Sequence, residues 1–319
     1  MVRAHWVATV AALLLPALAG QARAQTKTAS EGDDLRPYEV SVQVDLVQLY
    51  VTVRDRDGQF AGDLTDRNFA VREDGVLQKV RLFSHEDIPV TVGLVVDHSG
   101  SMRKKMPEVI AAARSFARSV KPEDRMFVVN FNEKVTLGLP PQMRLTNRPE
   151  DLEAAILMAP VSGQTALYDA AAAALEQLPA EGPEKKVIII ISDGGDNVSS
   201  RTLAEVLEMA GRSSVQIYTI GIFAPMDPDR NPGVLRRLAR ETGGETFVPG
   251  EIADIVSICE GIARDIRNQY SLGYVSHSMK GPGVYRKIRV TAEAEGRGKL
   301  QVRTRAGYIT GSPARKSVP

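Results

Sequence analysis

Only one cysteine, Cys259, stands in the 319 residues, so no internal disulfide can form and the fold must rest on its own core. An excess of either charge is missing too: 40 Lys and Arg face 39 Asp and Glu, which excludes the basic footprint of a nucleic-acid or anionic-membrane binder. Histidine is scarce. The four imidazoles, at positions 5, 85, 98 and 277, have no ligand spacing to one another, which argues against a zinc centre. The chain carries no G-x-S-x-G, no H-E-x-x-H and no G-x-x-x-x-G-K, so it has no standard hydrolase elbow, metalloprotease helix or P-loop. Long apolar runs are absent beyond Trp6 to Ala19, and that run is well short of the roughly 20 residues a spanning helix requires.

That run has basic Arg3 before it and Ala22-Arg23-Ala24 after it, the pattern of a secretory signal peptide over 1–24 rather than a retained anchor. Cleavage before Gln25 leaves 38 basic against 39 acidic residues, a net charge of −1. The expected product is secreted or periplasmic, with no membrane span. Residues 25–37, QTKTASEGDDLRP, are polar and aperiodic and read as a disordered leader; 312–319 read as a disordered tail.

Between those ends the hydrophobic period changes twice. Over 38–86 it is two: "VSVQVDLVQLYVTVRD" alternates, Asp57-Gly58 supplies a turn, and "NFAVRED" with "QKVRLFS" predicts a hairpin around Asp74-Gly75. Over 88–268 short apolar runs alternate with helical stretches. "VTVGLVVD", "MFVVNF", "KKVIIIISD" and "VQIYTIGI" predict buried strands, and helices are expected near 104–120, 150–158, 166–178, 201–211, 233–241 and 251–268. This is an α/β pattern with a doubly wound, mostly parallel, Rossmann-like sheet. Cys259 shares a helical face with Ile255, Ile262 and Ile266 and reads as core. Over 269–311 the period of two returns in "QYSLGYVS", "YRKIRVTAEA" and "KLQVRTRAGY", three expected strands. Small sheets are marginal alone, so the two flanking β segments are expected to pair into one small β domain with the α/β domain inserted between them.

In an open α/β sheet, ligands bind beyond the carboxyl ends of the strands where strand order reverses. Oxygen-bearing residues fall at such ends. Asp97, Ser99 and Ser101 follow the first α/β strand in "VVDHSGSM", Thr165 lies in the loop "SGQTALYDA", and Asp193 ends "VIIIISD". Two carboxylates and three hydroxyls suit a hard cation, Mg²⁺ or Mn²⁺, which prefers oxygen in an octahedron. Helix capping is the plainer alternative: Ser and Asp ahead of a helix near 104, and Thr165 ahead of 166–178, are favoured N-caps. Capping accounts for one oxygen at each place but not for all five together. For Asp196 and Asn197, in "DGGDN", a plain turn and a place on the rim of the site are both open.

Asp97-x-Ser99-x-Ser101 followed by Thr165 and Asp193 resembles the metal-ion-dependent adhesion site of von Willebrand factor type A domains, and the likeness covers roughly Val90 to Arg264. The flanks "VTVRDRDGQFAGDLTDRNFAVREDG" and "QYSLGYVS" to "VRTRAGY" are similar to a bacterial exported subgroup related to that family. The resemblance implies that Ser99, Ser101 and Thr165 contact the metal directly or through water, while Asp97 and Asp193 complete or buttress the shell. It implies a partner protein offering an acidic side chain. Gly163-Gln164-Thr165 departs from the Gly-Gly-Thr common in the family, which implies a stiffer loop. His98 sits at a position variable in the family and is expected to face solvent, and Lys104 and Lys105 to form a solvated helix start.

The function expected from these readings is an exported adhesion or scaffolding module that is not an enzyme. Two alternatives stand beside it. One is a structural envelope module with no exchangeable partner. The other is a Mg²⁺-dependent phosphohydrolase, which usually places a second Asp two residues after the first, where this chain has Ser99.

Overall fold

The computed structural model describes residues 46–311 except 120, 180–183, 224–229, 252 and 278–280, and all of these belong to one compact unit. The expected signal peptide, leader and tail lie outside the described residues. No helix among the described residues is long and apolar enough to cross a membrane.

The central sheet has six strands. In spatial order they are β10 (Thr246–Phe247), β9 (Gln216–Gly221), β8 (Lys185–Ser192), β5 (Val90–Asp97), β6 (Arg125–Phe131) and β7 (Val135–Leu137). All neighbours run parallel except β6 and β7. Every residue of β5 and of β8 is buried, which is why their middles, 92–96 and 187–191, read as unbroken apolar runs and their polar residues fall near the strand ends. The chain leaves β5 towards β6 and β7, then returns to the other side of β5 with β8. The strand order therefore reverses between β5 and β8, and the crevice a ligand would use opens at their carboxyl ends.

Helices α1 (Met106–Ser119), α2 (Pro149–Leu157) and α6 (Asp254–Arg267) form one contacting group, and α3 (Leu167–Gln177), α4 (Leu203–Arg212) and α5 (Pro232–Thr242) another. Local chemistry fixes several ends. Thr202 and Glu205 form a reciprocal capping box on α4. Asn231 caps α5, Pro232 opens it, and Gly243 at φ 83° closes it. The expected helices all occur, with ends displaced by a few residues, whereas the short edge strands β7 and β10 gave no readable periodicity. Cys259 is buried with Ile255, Ile262 and Ile266, as the helical spacing predicts.

The flanking segments form two further four-stranded sheets around a second core. One has the order β13 (Gln301–Arg303), β1 (Leu46–Arg54), β11 (Tyr270–Val275), β4 (Val80–Ser84); the other has β14 (Gly307–Ile309), β12 (Tyr285–Ala292), β2 (Phe69–Glu73), β3 (Val76–Gln78). Strands from before and after the α/β segment pair directly, with β1 antiparallel to β11 from Leu46↔Val275 to Val51↔Tyr270.

Two strand expectations need correction. The turn at Asp74-Gly75 is present, but β2 pairs there with the short β3, and "KVRLFS" crosses to the other sheet to pair with β11. "KLQVRTRAGY" is two strands, not one: it breaks at Thr304–Ala306, where the chain changes sheets. The break packs on Gly243, where a Cβ would lie 2.4 Å from Arg305 N, so only glycine admits the crossing chain.

Candidate functional site

Asp97 is the last residue of β5 and is fully buried. Both of its oxygens are held: Oδ1 accepts from Ser99 N at 2.8 Å and Oδ2 from the Ser192 hydroxyl at 2.7 Å. Beyond it the chain turns through Ser99 to Ser101, whose hydroxyls lie 3.1 Å apart. The Ser101 hydroxyl donates to Asp193 Oδ2 at 2.6 Å, and Asp193 Oδ1 accepts from Gly195 N at 3.1 Å. Four of the five expected residues are thus joined in one chain of contacts at the end of β5 and β8.

Thr165 arrives on a separate loop that is tied to the same place. Gly100 N donates to Gly163 O at 3.3 Å, and Ser162 N to His98 O at 2.9 Å. Asn197 grips Thr165 on both sides, its Oδ1 accepting from Thr165 N at 2.9 Å and its N donating to Thr165 O at 3.0 Å. The Thr165 hydroxyl has no hydrogen-bond partner among the described residues, although the residue is 6% exposed. Gly163 adopts φ 80°, and a Cβ there would run into the Glu133 carboxylate, whose Oε2 accepts from Gln164 N at 3.2 Å. The conformation is what requires glycine, since the exposed Glu133 side chain could move aside for a Cβ.

Capping does not explain these residues. Neither Ser99 nor Ala166, the residues at the helix-start positions, makes a side-chain cap, and the start of α3 is served from elsewhere. Asp196 Oδ1 accepts from Tyr168 N at 3.1 Å, and the Ser199 hydroxyl accepts from Tyr168 N and Asp169 N, each at 3.1 Å. Of the two residues left open between turn and rim, Asp196 is a cap and Asn197 positions the Thr165 loop.

Two expectations fail here. His98 is 1% exposed rather than solvent-facing, because the chain is still registered against β6 at this point. Its Nε2 lies 3.1 Å from Asn130 Oδ1, and burial lowers its pKa. Lys105 is 6% exposed and donates through Nζ to Ile222 O at 2.8 Å, so it ties the start of α1 to the end of β9. Lys104 is exposed, as expected. Ser192 escaped sequence reasoning. Its signal was its place one residue before Asp193, at the carboxyl end of the strand that lies beside β5.

Electrostatically the site is short of positive charge. Burial pushes Asp97 up to about 6, and the neighbouring Asp193 carboxylate adds to the shift, against hydrogen bonds from Ser99 and Ser192. No group of three or more His, Cys, Asp or Glu among the described residues is placed to hold a metal. The donor set at Asp97, Ser99, Ser101, Thr165 and Asp193 is instead hydroxyl-rich, with one uncommitted hydroxyl, and that chemistry fits a hard divalent cation.

The family model for the von Willebrand factor type A domain matches residues 91–258, the segment that carries this crevice. The chain belongs to the von Willebrand factor type A domain family. Among solved structures, a von Willebrand factor type A protein from Catenulispora acidiphila is similar over 85% of this chain and 75% of its own, at 13% identity and a TM-score of 0.50. Proximal thread matrix protein 1 from the mussel byssus, in a form with a zinc-occupied metal-ion-dependent adhesion site motif, is similar over 62% of this chain and 50% of its own, at 16% identity and a TM-score of 0.50. At these identities the likeness is one of fold. No curated protein matches the chain. Von Willebrand factor A domains are protein-interaction modules, and this chain carries one between two β flanks.

Proposed function

We propose that the chain is an exported protein-binding module, not an enzyme, that captures a partner's Asp or Glu through a divalent cation, Mg²⁺ or Mn²⁺, held by Asp97, Ser99, Ser101, Thr165 and Asp193. The observation that carries this reading is the contact chain from Ser99 through Ser101 to Asp193 beside the buried Asp97, with the free Thr165 hydroxyl on the adjoining loop. A cation bound there supplies an incompletely neutralised positive charge that a further carboxylate can satisfy. The protein's own part is to fix the donors. Ser192 and Ser99 N hold Asp97, Asn197 holds Thr165, and Gly163 lets the loop approach.

Export rests on the sequence of residues 1–24, read as a signal peptide. The test is a pull-down from the envelope of the parent organism with residues 25–319, done with Mg²⁺, with EDTA, and with Asp97→Ala. Prey recovered in the Mg²⁺ arm alone supports the reading. The same prey in all three arms, or none in any, returns the protein to a structural role, and phosphatase activity lost with Asp97 makes it a hydrolase.

A further inference from the structure

The β flank leaves part of a sheet edge open. Along β12 the backbone groups alternate in direction, as in any strand. Ile288 N donates to Ala306 O at 2.8 Å on the β14 side, whereas Lys287 O accepts from Asp74 N and Glu293 N donates to Asn68 O, each at 2.9 Å, on the β2 side. The same alternation turns the N–H and C=O of Val290 and Ala292 towards the β14 side. There β14 is registered with β12 only over Tyr285–Lys287, no strand among the described residues is registered against Val290 and Ala292 on that side, and β13 approaches β12 without pairing with it. Unpaired edge groups are a template for a further strand.

A groove follows that edge. Its two parts, of about 570 and 760 Å³, share Arg289, Val290 and Val302. At the α5 end the wall is cationic, with Arg236 and Arg240 one turn apart on α5 and Arg289 projecting from β12; of the glutamates lining the groove, Glu245 is engaged by Arg303, and Glu293 and Glu295 lie with Lys299 at the far end. Arg236 and Arg289 have no carboxylate partner among the described residues, and Arg240 has only its neighbour Glu241, at 3.1 Å. Deeper in, Arg303 engages Glu245 and Asp265 with its terminal nitrogens, yet its Nε and the Thr304 hydroxyl are buried with no hydrogen-bond partner among the described residues. Arg305 spends its donors on the carbonyls of Gly307 and Gly211, at 2.8 and 2.9 Å, and has no carboxylate partner.

We propose that this groove docks an extended acidic segment of a partner protein, which adds as a strand beside β12 and lays its carboxylates against Arg236, Arg240 and Arg289. Charge complementarity selects the occupant. A second copy of the same edge would bring two such arginine sets together, and a neutral strand would leave them without counter-charge. The groove is separate from the metal crevice: it lies towards the C-terminal end of α5, whose N-terminal end meets Asp193 through the 3.1 Å bond from Asn231 N to Asp193 O. Docking here requires no cation.

The test uses the full chain in EDTA, so that its result does not depend on the metal site. A fluorescein-labelled peptide of alternating Glu with Val or Thr is titrated by anisotropy, beside a Lys counterpart and the same acidic peptide N-methylated at alternate residues. Expected are saturable binding of the acidic peptide alone, slower amide exchange at Val290 and Ala292, and roughly tenfold weaker binding by Arg236→Glu/Arg289→Glu, a loss of about 1.4 kcal/mol. Both arginines are exposed, so the variant is expected to keep the wild-type circular dichroism. Absence of saturation, equal binding of the N-methylated peptide, unaltered binding by the variant, or self-association of the chain through this edge would each overturn the proposal.

Discussion

Ser101 and Asp193 lie 92 positions apart in sequence, and the Ser101 hydroxyl donates to Asp193 Oδ2 at 2.6 Å. One residue follows β5 and the other follows β8, so the contact reports the switch in strand order as directly as any backbone register does. It is also the contact on which the proposed cation site rests.

Metal should therefore stabilise the fold. A cation that binds only the native state at a hundredfold excess over its Kd adds about 2.7 kcal/mol. The wild-type melting temperature is expected to rise by several degrees in Mg²⁺ or Mn²⁺ relative to EDTA, by scanning calorimetry, and Asp97→Ala is expected to show no difference between the two. The metal response is the readout, since removing Asp97 also frees Ser99 N and Ser192; an undiminished response in the variant would refute the site.

Asn197 should act through Thr165. Asn197→Ala removes the acceptor of Thr165 N, a bond worth about 1 kcal/mol net. Titration calorimetry should then find Mn²⁺ affinity reduced roughly three- to tenfold, with the circular dichroism unchanged. Full affinity would mean that the Thr165 loop holds its place without this grip.

Lys185 gives the fold a pH dependence of known sign. Its ammonium is 1% exposed and donates to Ile266 O at 2.8 Å, and burial pushes it down to about 8, with Arg267 adding and Asp87 and Asp265 opposing. The unfolded chain keeps this proton up to about 10.4. Between the two values the unfolded state binds more protons, so stability rises with pH from about 8. Cys259, raised to about 12 by burial and by Glu260, acts in the opposite sense once pH passes the ordinary thiol value near 8.5, and Tyr50, raised to about 12 by burial and by Glu184, does so above the ordinary tyrosine value near 10. Urea midpoints measured from pH 7.5 to 9.5 should rise for wild type relative to Lys185→Met, in which the opposing contribution of Cys259 remains; a constant difference between the two would remove Lys185 from the account.

Asp265 should be costly to lose. It is fully buried at the end of α6, accepts from Tyr218 OH at 2.6 Å, and pairs with Arg54 at 3.2 Å and with Arg303. Both arginines belong to the β flank, so one carboxylate of α6 neutralises two charges across the junction. Asp265→Ala is expected to lower stability by about 1–3 kcal/mol in denaturant unfolding, because the buried Tyr218 hydroxyl loses its acceptor while Arg54 and Arg303 stay partly exposed and Arg303 keeps Glu245. A change below about 1 kcal/mol would mean that water or Glu245 takes over its part.

What could be read from the chain in advance was set by periodicity. The apolar middles of β5 and β8, the amphipathic α1 and α6 and the order of Asp97, Ser99, Ser101, Thr165 and Asp193 are local patterns, legible without a partner. Residues decided by tertiary contact were not. Lys105 reads as part of a solvated helix start and His98 as solvent-facing because its position varies in the family, yet each is 6% exposed or less, held by Ile222 O and Asn130 Oδ1 respectively. Ser192 and Asn197 carry no pattern of their own and take meaning only from Asp97 and Thr165 across the crevice. The break at Thr304–Ala306 is likewise written on another element, in the space left by Gly243.

The pairing of β1 bears on the order in which the molecule can assemble. Both of its hydrogen-bonded neighbours, β11 and β13, are made after the entire α/β segment. As the chain emerges from N- to C-terminus, the helices and parallel strands between can find one another while β1 still has no ladder to join. The long-range closure comes last, and any delay there leaves an apolar strand exposed, the condition under which chaperone capture or strand-mediated aggregation competes with folding.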